Sequence, residues 1–145
     1  MWKISDFGLI SEGTSKDLVT SRYVRGKSCY RAPELLMDGN FKYNNKMDVW
    51  ALGCITYELY TGAKPFRSDY HALEYSKSGR TLHSFLKETT DTPQDLFISW
   101  IQDMLCSPPH DRPSAKTLKS VAEQVRQSKE RGSPFSINQF PDPSD

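Results

Sequence analysis

The sequence predicts a mainly α-helical domain with very little sheet. Three stretches carry that prediction. Residues 43–59 place apolar side chains nearly all round a helical wheel. Residues 95–105 set Phe97, Trp100, Ile101, Met104 and Leu105 at the i, i+3, i+4, i+7, i+8 spacing of an amphipathic helix. A third helical stretch runs from Ser114 to about Ser128 through Leu118, Val121, Ala122 and Val125. Against these stands one strand candidate, Met1 to Ser5, where Trp2 and Ile4 alternate with Lys3 and Ser5.

A chain of 145 residues is long enough for one domain with a sizeable core, and a second independent domain is not expected. Its 19 Lys and Arg balance 18 Asp and Glu, so the totals predict no attraction to nucleic acid or to an anionic membrane. The longest mostly apolar run, Val49 to Tyr57, is about half of what a bilayer span requires, and Met1-Trp2-Lys3 opens nothing like a secretory signal. An intracellular protein, cytoplasmic or nuclear, is the expectation. Cys29, Cys54 and Cys106 are odd in number and widely spaced, with no Cys-x-x-Cys pair and no His at ligand spacing. That pattern predicts reduced thiols and argues against a zinc site.

Along the chain, the first strand delivers Asp6 at its end, followed by Phe7 and the flexible Gly8. Such an arrangement fixes a carboxylate at the edge of a cleft, as a metal ligand requires; it also fits a plain strand end with a tight turn. From Leu9 to Arg31 no helical or strand period exists, and hydroxyls at Ser11, Thr14, Ser15, Thr20, Ser21 and Ser28 lie among Lys and Arg. We read this as an exposed loop, of a length that is usually functional or disordered. Leu35-Leu36-Met37 suggests a short helix ended by Asp38-Gly39-Asn40. The apolar stretch 43–59 predicts a helix buried on all sides. Asp48 near its start then needs a partner, unless the helix N-terminus satisfies it. Gly62 and Pro65 stop this helix. Residues 71–86 are a weaker, more polar helical region broken around Ser78-Gly79, with His71 and His83 as surface histidines. Pro108, Pro109 and Pro113 force an irregular loop after the amphipathic helix, and Ser114 caps the last one. Residues 129–145 turn polar and Pro-rich and read as a disordered tail.

Four landmarks then fall in one order: Asp6-Phe7-Gly8, Ala32-Pro33-Glu34, Asp48-x-Trp50-x-x-Gly53 and Asp111-Arg112-Pro113. In this order and spacing they resemble the second half of a eukaryotic protein kinase catalytic domain. The Tyr30 that directly precedes Arg31-Ala32-Pro33-Glu34 favours the Ser/Thr class. The resemblance implies that Asp6 is the magnesium ligand and so the cofactor-binding residue, Phe7 a packing residue and Gly8 a backbone pivot. It makes Thr20 and Ser21 candidates for phosphorylation in the activation loop, where an added dianion would pair with nearby Arg side chains; they are equally readable as solvated loop hydroxyls. Lys27, Ser28, Cys29 and Tyr30 become the peptide-docking loop. Glu34 is expected to pair with Arg112, buried and bidentate. Asp48 would accept backbone hydrogen bonds from the catalytic loop, with Trp50 and Gly53 in register on the central helix. One position departs from the family pattern: Lys27 stands where Ser/Thr kinases nearly always carry Thr, and Ser28 could substitute with a one-residue shift.

The Gly-rich loop, the strand Lys with its Glu partner, and the His-Arg-Asp catalytic loop have no counterpart here. His110-Asp111-Arg112 is not that loop, since both order and location differ. The resemblance therefore implies the helical C-terminal lobe of the protein-kinase-like fold, lacking the β-rich N-terminal lobe, as a partial domain over 1–128 with the tail at 129–145. No catalytic residue is expected within this chain. Its parent would use ATP and Mg2+ to transfer the γ-phosphate to protein Ser or Thr, while neither ligand is expected to bind well to this chain alone. The implied partners are a protein substrate and the missing N-terminal half of the domain. The other reading is a pseudokinase or protein-binding module that uses the docking surface.

Overall fold

The computed structural model describes residues 18–21, 26–37, 41–86 and 96–130. The expected strand at 1–5, the Asp6-Phe7-Gly8 landmark, the turn at 38–40 and the tail beyond 130 lie outside the described residues. What is described is mainly helical. Strands β1 (Val19–Ser21) and β2 (Phe41–Tyr43) form a small antiparallel ribbon, and five helices follow: α1 (Lys46–Thr61), α2 (Asp69–Ser78), α3 (Leu82–Leu86), α4 (Leu96–Met104) and α5 (Ala115–Glu130). Two short 3-10 turns, Pro33–Leu35 and Pro109–Asp111, mark the two Pro-containing landmarks.

Helix α1 is the axis of the core. One side of it, Val49, Trp50, Gly53, Cys54 and Tyr57, is buried, which is one stripe of a 3.6-residue repeat. Trp50 stacks on Phe66 with centroids 5.3 Å apart, and Tyr75 of α2 packs against both rings. Ile101, Met104 and Leu105 close the core from α4 and the residue after it. Here Gly53 decides how near the helices come. A Cβ on it would lie 3.0 Å from Leu105 Cδ2 and 3.0 Å from the Met104 Cβ. The helix stops at Gly62, whose φ of 76° is open to Gly and whose N–H reaches the Glu58 carbonyl at 2.8 Å. Gly79, at φ 64°, separates α2 from α3 where the sequence predicted a break. Ser114 caps α5, its hydroxyl accepting from the Thr117 N–H at 3.0 Å.

Four expectations need correction. The stretch 9–31 is not all loop, because 19–21 is a strand; at three residues it is too short to show a period, and its pairing with Phe41–Tyr43 creates it. In place of a helix at 35–37 there is a 3-10 turn at Pro33–Leu35, since Pro33 at its start favours that φ. Helix α1 is not buried on all sides: Leu52, Ile55 and Leu59 are 44, 45 and 68% exposed, and Tyr60 lies beside them. His71 is no surface histidine. The start of α2 lies over Phe66, which leaves the imidazole half-buried between the Phe66 and Phe85 rings, 6.1 and 4.9 Å away.

Candidate peptide-docking site

The four residues predicted to dock a peptide form one tight turn. The Tyr30 N–H reaches the Lys27 carbonyl at 3.2 Å, and the chain enters the turn through Gly26 at φ 82°. Cys29 holds a φ of 73°, a left-handed conformation that costs a non-Gly residue about 1–2 kcal/mol. Something outside the turn must hold it. That group is Asp69, the first residue of α2, whose carboxylate accepts from the Cys29 N–H at 3.0 Å and the Ser28 hydroxyl at 3.1 Å. The same carboxylate takes the Arg31 guanidinium at 2.7 Å, and Arg31 returns through its Nε to the Gly26 carbonyl at 2.9 Å. Burial works to raise the Asp69 pKa, but the Cys29 N–H, Arg31 and the Ser28 hydroxyl outweigh it and hold the carboxyl below its usual range. The position suits a carboxylate for a further reason: Ser68 caps α2, accepting from the His71 N–H, so Asp69 sits at the positive end of the helix.

Tyr30 ties the turn to α1. Its hydroxyl donates to Glu58 Oε2 at 2.5 Å, and that bond, with burial and the Glu58 charge, pushes the phenol pKa up to about 12. Lys64, just after α1, places its ammonium 5.3 Å from the Tyr30 ring centroid. The Cys29 thiol donates to the Arg67 carbonyl at 3.3 Å, so the α1–α2 connection lies along the turn.

Beneath this surface the predicted pair is present. Arg112 Nη1 and Nη2 bind Glu34 Oε1 and Oε2 at 2.7 and 2.8 Å, across 78 positions of sequence. Its remaining donors reach the carbonyls of Cys106, Lys46 and Ser107 at 2.8, 3.0 and 3.1 Å, and its guanidinium lies 5.0 Å from the Trp50 ring centroid. Lys46 Nζ donates to the Arg112 carbonyl. Every donor of a fully buried guanidinium cluster is thus met, which is what a buried charge requires.

The other predicted residues are spread apart. Thr20 is exposed on β1, opposite Lys42, whereas Ser21 is buried opposite Phe41, so the two hydroxyls occupy different environments. Asp48 lies in the first turn of α1, in line with exposed Leu52, Ile55 and Leu59. Partial desolvation raises its carboxyl above the usual range, and no donor among the described residues meets it. The Ser28 hydroxyl, one residue beyond the position of the absent Thr, donates to Asp69. Asp6, with the magnesium and nucleotide binding that rests on it, lies outside the described residues, as do Phe7 and Gly8. Among the described residues no three His, Cys, Asp or Glu side chains gather into a metal site, and no helix is long and apolar enough to cross a membrane. Cys29, Cys54 and Cys106 are free thiols.

Sequence reasoning missed Asp69 and Glu58, the two acids that hold the turn. Asp69 had a signal, since Ser68-Asp69 before a helical region is an N-terminal signature. Glu58 had none, because nothing local tells which face of α1 meets Tyr30.

Comparison with known proteins agrees with this geometry. The family model for the protein kinase domain matches residues 1–122. The chain is 32% identical over 124 residues to the serine/threonine-protein kinase chk-2 of Caenorhabditis elegans, covering 82% of this chain and 24% of that protein. It is 34% identical over 112 residues to a serine/threonine-protein kinase H1 homolog of Danio rerio, covering 77% and 26%. With the serine/threonine-protein kinase RUNKEL of Arabidopsis thaliana it shares 34% over 113 residues, covering 76% and 8%. The chain therefore spans about a quarter or less of these curated relatives, whose family uses ATP and Mg2+ to phosphorylate proteins. The match over residues 1–122, together with the buried Glu34–Arg112 pair and the clamped turn above it, makes this chain a member of the protein kinase family.

Proposed function

We propose that residues 1–128 are the substrate-docking, C-terminal-lobe part of a Ser/Thr protein kinase domain, followed by a tail. The complete domain transfers the ATP γ-phosphate to a Ser or Thr of a protein substrate, and this chain by itself is inactive. The exposed face of α1 carries the proposal. Asp48, Leu52, Ile55 and Leu59 follow one another at helical spacing on the axis of the core, and the three apolar members are 44 to 68% exposed. A stripe of that kind beside a partly desolvated carboxylate that no donor among the described residues meets is built to receive another segment. In a kinase that segment is the catalytic loop with its backbone N–H donors, and its carrier is the half of the domain that holds the phosphate cradle and the catalytic base. Without base and cradle, one loop Asp neither holds a triphosphate nor orients a hydroxyl. In this reading Asp6 holds Mg2+, and Thr20 or Ser21 takes the activating phosphate. The protein works inside the cell, in cytoplasm or nucleus.

Sequencing the coding DNA upstream of Met1 tests the proposal. It expects His-Arg-Asp and a strand Lys in frame within a few hundred codons, and their absence would refute it. A pseudokinase or peptide-binding module is the second reading, favoured by one observation: Lys27 stands where the family pattern carries Thr. Thermal shift of the intact protein with nucleotide separates the two, because an active kinase is stabilised in a magnesium-dependent way and a module with a lost site is not.

A further inference from the structure

The charges around the docking turn are not balanced. Its acids are committed: Asp69 pairs with Arg31 and also holds Ser28 and Cys29, and Glu58 accepts from the neutral Tyr30 hydroxyl while keeping its single charge, which offsets one cation. Its cations are not. Lys27 is exposed within the turn, and Lys64 and Arg67 are exposed on the connection pressed against it. Among the described residues none of these three charged groups meets a carboxylate, although Lys64 leans over the Tyr30 ring. A chain whose totals nearly cancel therefore presents a local surplus of positive charge where a peptide would lie.

We infer that this turn selects peptides bearing negative charge next to the residue they present, with Lys27, Lys64 and Arg67 as the specificity-determining cations. The inference rests on reading 26–31 as the peptide-docking loop. It also gives Lys27 a role. Where Thr would offer a hydroxyl to the catalytic loop, Lys27 offers a long, solvated ammonium to the ligand, while the Asp69 clamp keeps the turn from collapsing around it. Carboxylates and phosphoryl groups on the peptide would both satisfy these cations.

The test uses the intact protein that carries this chain and fluorescence anisotropy. Four peptide sets share a central Ser and differ in its flanks: Asp/Glu, phosphoserine, uncharged, and Lys/Arg. Acidic flanks are expected to bind about tenfold tighter than basic ones, since exposed ion pairs each contribute little. The advantage should shrink as salt rises. Lys27→Ala/Lys64→Ala/Arg67→Ala should remove it, Lys27→Glu should shrink it, and Lys116→Ala on α5 should leave it intact. Tighter binding of phosphoserine than of Asp/Glu flanks identifies a phosphorylated peptide as the ligand; equal binding identifies plain acidic sequence. Equal affinity for acidic and basic peptides, or a preference that survives the triple variant in a protein with unchanged circular dichroism, overturns the inference. Phosphate transfer to the same peptides is measured in parallel. Transfer that ignores flank charge sinks the inference and leaves the kinase reading standing, whereas charge-selective binding without any transfer does the reverse.

Discussion

Removing the charge of Glu34 while keeping its shape, by Glu34→Gln, is the most direct test of how this lobe is held together. The Arg112 side chain is fully buried and that of Glu34 is 13% exposed. In the variant one amide oxygen still accepts, but the amide nitrogen faces a guanidinium donor and the positive charge loses its counter-ion. Three backbone carbonyls and the Trp50 face remain, and they carry dipoles rather than a charge. The expected cost is about 3–5 kcal/mol, the figure for stranding one member of a buried pair. In a domain of this size that lowers Tm by about 10 °C or more. Arg112→Met costs a similar amount for a different reason: Glu34 keeps some access to water, but the carbonyls of Cys106, Lys46 and Ser107 lose their donors. Because both changes remove the same interaction, Glu34→Gln/Arg112→Met should cost little more than the worse single change. Urea unfolding of the intact protein measures all four corners of the cycle. If the losses simply add, to within about 0.5 kcal/mol, the pair is not coupled and the argument fails. Glu34→Asp, which keeps the charge, provides a milder variant if either single change fails to fold.

Three further outcomes follow from the geometry. Gly53→Ala pushes a methyl to 3.0 Å from Met104 and Leu105; the overpacking cost of about 1–3 kcal/mol exceeds the gain in helix propensity of at most about 1 kcal/mol, so chemical denaturation should show net destabilisation. The Asp69 carboxyl is held below its unfolded value, so its contribution is present above the usual carboxylate pKa of about 4 and is lost as pH falls through the folded value. The protection factor of the Cys29 amide, its exchange relative to the intrinsic rate at the same pH, should therefore fall in acid, and Asp69→Asn should show that lost protection already at neutral pH. Asp48 has the opposite sign: its pKa is raised, so the ionised form opposes folding and stability should increase as pH drops through the raised value. Asp48→Asn should then stabilise the isolated chain at neutral pH in a thermal melt. The same substitution should weaken a complete kinase domain, where the carboxylate would gain backbone donors; stabilisation in both settings counts against the proposed partner segment.

What the sequence made legible divides by the range of the force involved. Gly62, Gly79 and the Ser114 cap were readable because a left-handed residue or an orphan N–H is satisfied within a few residues. The Glu34–Arg112 pair was readable across 78 positions because a buried guanidinium admits so few partners and the landmark order named one. The ribbon of β1 and β2 was not, since neither three-residue strand has a period of its own and each exists only through the other. The exposed side of α1 was misread for a related reason. A helix apolar all round states that every side will be covered, but not that the cover lies within the same stretch of chain. Leu52, Ile55 and Leu59 therefore say more about the lobe than its buried residues do. Trp50, Cys54 and Tyr57 find their apolar neighbours in α2, α4 and the loop at Phe66, although the buried Trp50 Nε1 meets no acceptor among the described residues. A stripe that stays 44 to 68% exposed beside Asp48 marks the side on which these contacts run out. The docking turn faces no such shortage. Asp69, Arg31 and Glu58 hold it from residues of this chain, so the proposed peptide selection can be measured separately from the proposed phosphate transfer.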